Sequence, residues 1–177
     1  MNASPHPTLV AVSRDLIASI AAHAHASPAA PAVTQGEACL DYGSLWEQSA
    51  HVARRLGARG VGVEDVVGVH VARSPDLVPL LLGVWRAGAA WLPLDPSFPP
   101  ERLAFMVRDA GCRLVWTDAP MPWLPDGVDR VDAPADVHDD PLSAQGTTSA
   151  PVDAGESPPA GRLAYLMYTS GSTGHPK

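Results

Sequence analysis

The apolar positions of this chain change period along its length. In the first third they recur at spacings of three and four. Arg14–Ala26 reads as a helix capped by Ser13, with Leu16, Ile17 and Ile20 on one face. Ser44–Ala58 reads as a second helix, with Leu45, Ser49, Val52, Ala53 and Leu56 facing inward and Gly60 placed as a stop. Between them, Ala32–Thr34 and Ala38–Asp41 flank Gln35-Gly36-Glu37 as a short hairpin. From residue 66 onward, short apolar runs alternate with helical stretches. Val66–Val71, Ala90–Leu94, Arg113–Thr117 and Val128–Asp132 read as strands. Ser74-Pro75 opens a helix that ends at Gly88, and Pro99-Pro100-Glu101 opens another, to Asp109 or Ala110, that Gly111 stops. Short continuous apolar strands separated by helices predict an α/β fold, a parallel sheet with helices on both faces.

Two stretches break the pattern. Residues 1–12 read as a flexible N-terminal tail. Residues 133–161 hold five prolines, no apolar periodicity and most of the acids nearby, and read as a flexible linker. Strand-like character returns at Arg162–Tyr168, which runs into Thr169-Ser-Gly-Ser-Thr-Gly-His-Pro-Lys177. No internal repeat is present.

Composition narrows the class. The 177 residues suffice for about one domain. Large core formers (17 Leu, 18 Val, 2 Ile, 2 Phe) are 39 of them, enough for a core but not a generous one. The net charge of −7 is uneven: residues 118–156 hold nine acids and one base, so the remainder sums to +1. That balance argues against a nucleic-acid partner. The best apolar run, Leu77–Trp85, is nine residues and far short of the ~18 a membrane span requires. Residues 1–15 show no secretory signal, so the expected location is the cytoplasm. Cys39 and Cys112 fit neither a zinc spacing nor a disulfide framework and are expected to be reduced, buried thiols.

The chemistry concentrates in the last nine residues. Hydroxyls at Thr169, Ser170, Ser172 and Thr173, the glycines Gly171 and Gly174, and the ammonium of Lys177 together suit a polyphosphate. The spacing Gly171-x-x-Gly174-x-x-Lys177 is not that of the common GxxxxGK[ST] loop. Composition by itself also fits a Gly/Ser-rich surface turn.

Wider context decides between these readings. Leu163–Lys177 resembles the phosphate-loop signature of the adenylate-forming superfamily, the AMP-dependent synthetases and ligases. Leu82–Pro96 followed by Phe98–Ala110 resembles the second core motif of nonribosomal peptide synthetase adenylation domains, and Leu40-Asp-Tyr-Gly-Ser-Leu45 is similar to their first. The three stand in the family's order, and the resemblance covers about residues 13–177. Pro93-Leu-Asp-Pro96 and Pro100-Glu-Arg-Leu103 favour the peptide synthetases over acyl-CoA synthetases.

The resemblance implies an ATP-dependent ligase using Mg²⁺. An amino acid becomes an aminoacyl adenylate, then a thioester on the phosphopantetheine of a peptidyl carrier protein or domain. Thr169, Ser170, Gly171, Ser172, Thr173, Gly174 and Lys177 would bind the ATP phosphates. Lys177 is not the family's catalytic lysine, which belongs to a small C-terminal subdomain. No catalytic residue and no metal ligand is assigned within the chain. Residues 13–177 are read as the N-terminal part of the domain, truncated at the phosphate loop and inactive alone. With the specificity pocket absent, the amino acid cannot be named. If Met1 is the true start, the intact protein is a loading module or a stand-alone enzyme; a misplaced start codon is the other reading. An acyl- or aryl-acid ligase is the near alternative, and a non-catalytic α/β binding module the distant one.

The remaining candidates carry ordinary readings. His23 and His25 point to different faces, and His51, His70 and His138 share no ligand spacing. Asp95 and Glu101 are expected to cap a helix and pair with Arg102. Trp85, Trp91 and Trp116 are expected in the core.

Overall fold

The computed structural model describes residues 14–132 and 163–168. The tail at residues 1–12, the linker at 133–161 and the Ser13 cap therefore lie outside the described residues.

Helix α1 (Arg14–Ala26) leads into a hairpin of β1 (Pro31–Gln35) and β2 (Ala38–Asp41), paired antiparallel. The face α1 turns inward is Ile17, Ile20, Ala21 and Ala24, whereas Leu16 is 43% exposed. The 3.6-residue period places Leu16 beside Ile20, but the small Ala21 and Ala24 define the side that packs. The hairpin is also more open than expected. Cys39 is exposed, because a four-residue strand in a two-stranded ribbon has no second layer over it. Cys112 is buried, as expected.

Helix α2 (Tyr42–Gly57) starts two residues early because Asp41 caps it, its Oδ1 accepting from the Ser44 amide at 2.7 Å. The predicted inward set is buried in full, with His51 added. The next elements are β3 (Val66–His70), α3 (Leu77–Arg86), β4 (Ala90–Pro93), α4 (Pro100–Asp109), β5 (Leu114–Thr117) and β6 (Asp129–Asp132). Helix α3 begins later than Ser74-Pro75 suggested. Those residues form a turn instead, in which Leu77 N donates to Ser74 O at 3.1 Å, and Asp76 stands at the N-cap without a side-chain bond. Gly60, Gly88 and Gly111 all follow helices with φ of +73°, +84° and +62°, the left-handed stop expected of them.

Strands β3 to β6 form one parallel sheet in the order β4-β3-β5-β6. Period-two alternation divides the core. Val67, Val69, Leu114 and Trp116 face α2 and α3, packing on Val52, Leu56, Leu80 and Val84. Val66, Ala90, Leu92 and Val115 face α4, packing on Leu103, Met106 and Val107. Helices thus cover both faces, as the sequence predicted. Where α2 meets α3 the backbones come close: a Cβ on Gly83 would lie 2.4 Å from Val52 Cβ. Arg86 ties the same pair. Its guanidinium donates to Trp46 O and Ser49 Oγ, both at 2.7 Å, and lies over the Trp46 ring at 3.6 Å. Burial, with Arg54 nearby, lowers its pKa to about 10. No helix among the described residues is long and apolar enough to cross a membrane.

Candidate functional site

The predicted phosphate-binding residues Thr169, Ser170, Gly171, Ser172, Thr173, Gly174 and Lys177 lie outside the described residues. What the structure describes is the stem that leads to them, residues 163–168, and the sheet beside it. The sequence predicts a strand here. Among the described residues the structure shows a single parallel bridge, Trp91 with Tyr165, rather than a ladder. Trp91 N donates to Ala164 O at 3.3 Å and Leu166 N to Trp91 O at 3.0 Å. Because the bridge is parallel, the stem runs in the same sense as β3 to β6 and adds to the outer edge of β4.

Aromatic side chains supply much of the remaining hold. Trp85 Nε1 donates to Ala164 O at 2.8 Å. Trp91 and Tyr165 stack at 4.8 Å with rings 15° apart, and Trp85 lies 6.1 Å from Trp91. Trp116 is buried as expected, but Trp85 and Trp91 are only half-buried and brace the stem. At the stem's end Tyr168 OH donates to Asp109 Oδ2 at 2.5 Å, and its ring meets Phe105 edge-on at 6.4 Å. Burial and the bonded Asp109 carboxylate push the Tyr168 phenol well above the usual tyrosine range.

The carboxyl ends of the neighbouring strands carry a polar cluster. His70 ends β3 and Thr117 ends β5, and both are buried. His70 Nδ1 and Thr117 Oγ1 pair at 3.1 Å, and the His70 ring meets Trp123 edge-on at 5.3 Å. Asp118 accepts from the Ala72 amide at 3.0 Å. Burial lowers the His70 pKa, while Asp118 and Asp95 oppose that shift. This pair sits where the strand order reverses, since β3 connects outward to β4 and the chain then returns past it to β5. Open α/β sheets bind ligands at that kind of crevice. Sequence alone gives His70 no role. The available signal is a polar residue closing a buried apolar strand.

Among the described residues, Asp95 and Glu101 neither cap α4 nor form an ion pair with Arg102. Asp95 Oδ1 accepts from Ser97 N at 2.9 Å, which holds its carboxyl below the usual range. Pro99 occupies the N-cap of α4, and Arg102 lies over the Phe98 ring at 4.2 Å. Among the described residues, no group of three or more His, Cys, Asp or Glu could hold a metal ion.

Comparison with known proteins gives a consistent result. The family described as AMP-binding enzyme matches residues 20–177. The chain is 38% identical over 146 residues to gramicidin S synthase 2 of Brevibacillus brevis, covering 82% of this chain and 3% of that protein. It is 43% identical over 164 residues to phosphinothricin tripeptide synthetase PhsB of Streptomyces viridochromogenes, covering 92% and 14%. Among solved structures, holo-AB3403, a four-domain nonribosomal peptide synthetase bound to AMP and glycine, matches with a TM-score of 0.69 and 32% identity, over 92% of this chain and 12% of that one. The N-terminal subdomain of Klebsiella oxytoca NpsA shares the fold, with a TM-score of 0.72 at 23% identity, over 95% of this chain and 40% of that one. The chain thus spans a small share of the curated relatives it matches.

Proposed function

The chain belongs to the AMP-binding enzyme family, as part of a nonribosomal peptide synthetase adenylation domain, and we propose that the whole protein uses that domain to activate an amino acid. A carboxylate oxygen of the amino acid attacks the α-phosphorus of ATP. The bond to the β-phosphate breaks, and pyrophosphate leaves. A phosphopantetheine thiol on a carrier domain then attacks the acyl carbon, and AMP departs as the proton leaves sulfur. Both steps take place in the cytoplasm.

Within this chain the assigned role is phosphate binding. The hydroxyls of Thr169, Ser170, Ser172 and Thr173 and the backbone of Gly171 and Gly174 receive the β- and γ-phosphates, and Lys177 offsets their charge. Mg²⁺ would come with the nucleotide and offset phosphate charge beside the hydroxyls of Thr169, Ser170, Ser172 and Thr173, since the donors here are hydroxyls and an ammonium rather than carboxylates. The observation that carries this reading is the stem. A parallel segment bonded to the edge of β4 leads directly into the motif, which suits a loop lying beside the carboxyl ends of the sheet strands. Domain organisation follows the same reading: residues 1–12 are a tail, residues 13–177 belong to the adenylation domain, and residues 133–161 are a linker within it.

Amino-acid-dependent exchange of pyrophosphate into ATP tests the proposal in the complete enzyme. Lys177→Ala is expected to lower kcat/KM for ATP about 10- to 100-fold, the usual effect of losing a charged hydrogen bond, with the order of preferred amino acids unchanged. Unchanged ATP kinetics with altered substrate choice would remove Lys177 from the phosphate site. Exchange driven by aryl or fatty acids but not amino acids would move the enzyme to the acyl- or aryl-acid ligases.

A further inference from the structure

We infer that Tyr168 and Asp109 form a latch that positions the root of the phosphate loop. Both are positioning residues, acting through Thr169 and its successors, and the inference rests on the phosphate-loop reading above. Between the sheet and the loop, backbone bonds hold Ala164 and Leu166 to Trp91, and Trp85 reinforces Ala164. Met167 then turns outward and is 44% exposed. Tyr168 turns back in. Its ring packs against the cluster beneath α4, and its hydroxyl reaches Asp109. It is the last described side chain before Thr169, so the loop departs from whatever Tyr168 fixes.

Asp109 is an unusual choice for its place. It is the final residue of α4, at the negative end of the helix dipole, where a carboxylate is unfavourable and a base is preferred. What it gains there is a short bond from the phenol, at the length of a charge-assisted O–H···O⁻ contact. Burial and the carboxylate keep that phenol protonated, so it remains a donor across the working pH range. Phosphate contacts made through Thr169 and its successors depend on where Tyr168 holds the start of that segment. Displacement of the root by about an ångström would spoil phosphate contacts without touching an amino-acid pocket built elsewhere.

The test is steady-state exchange in the complete enzyme, with ATP and amino acid varied separately and Tm recorded for each variant. Tyr168→Phe deletes only the hydroxyl, Asp109→Ala deletes the acceptor, and Asp109→Asn keeps a neutral acceptor oxygen. Tyr168→Phe and Asp109→Ala should each raise KM for ATP about three- to tenfold, with the amino-acid KM and Tm held, as for one hydrogen bond lost. Asp109→Asn should recover most of the loss. The double variant should be no worse than either single one, because both break the same contact. Additive losses, equal rises in both KM values, or no change in the ATP KM would each overturn the latch. Lys177→Ala run in parallel separates the two levels. If it raises the ATP KM while Tyr168→Phe does not, only the latch falls. If Lys177→Ala leaves kcat/KM for ATP unchanged, the phosphate-loop reading falls and the latch with it.

Discussion

His70 has about 5% of its surface exposed and ends a strand whose other residues are all apolar. Burial favours its neutral ring, so its folded pKa lies below the ordinary value of about 6.5. The sign follows from linkage. The stability carried by the neutral ring is complete above about pH 6.5 and is lost as pH falls through the lower folded value. His70→Asn keeps a polar atom toward Thr117 but cannot titrate. Urea denaturation at pH 7 and pH 5 should show the native chain losing more stability on acidification than this variant. Equal losses would mean that protonating His70 costs the fold nothing. Neither the contact made by this residue nor that made by Tyr168 stands out in the sequence, and for the same reason. Their partners, Thr117 and Asp109, lie 47 and 59 positions away, and a contact made only by folding leaves no local pattern. The hydroxyl- and glycine-rich motif, by contrast, is readable because its chemistry is contiguous.

Elements with strong periodicity are legible almost to the residue. The α2 face is, because a helix packed between a sheet and a second helix has one consistent inward side. The start of α3 is not, since Ser-Pro is equally at home in a turn. The stem reads as a full strand because an apolar run does not reveal how many partners it finds; among the described residues only Trp91 pairs with it. At Gly83 sequence alone shows only a glycine inside a helix. The structure shows the α2 backbone and Val52 standing where a side chain would go. Gly83→Ala should therefore lower stability by about 1–3 kcal/mol through overpacking, despite alanine's better helix propensity. Chemical denaturation would check this. A gain in stability would mean that α2 and α3 can separate at little cost.

At the scale of the whole molecule, the sheet covered by helices on both faces is legible in the sequence, and the strand order is not. Order depends on which crossover the chain takes, and alternation of elements is the same for several. The chain covers 40% of the NpsA subdomain that shares its fold. Adenylation requires the carboxylate and the α-phosphate to be held in line, and much of the rate comes from that placement. The 177-residue chain by itself is thus expected to give no pyrophosphate exchange with any of the common amino acids. Turnover that Lys177→Ala abolishes would show that the reacting groups lie within these residues after all.

The bridge between Trp91 and the stem also sets a schedule. On the ribosome β3, β4 and β5 emerge close together, between residues 66 and 117, and can pair as they appear. Trp85 must wait for Ala164, 79 positions later, and the outer edge of β4 for nearly as long. At a synthesis rate of roughly 5–20 residues per second that is a delay of about 4–16 s. Throughout it, the open backbone of β4 and the faces of Trp85 and Trp91 are available to a chaperone or to another nascent chain. A codon-level pause that delays the emergence of Ala164 after that of Trp91 would lengthen that exposure.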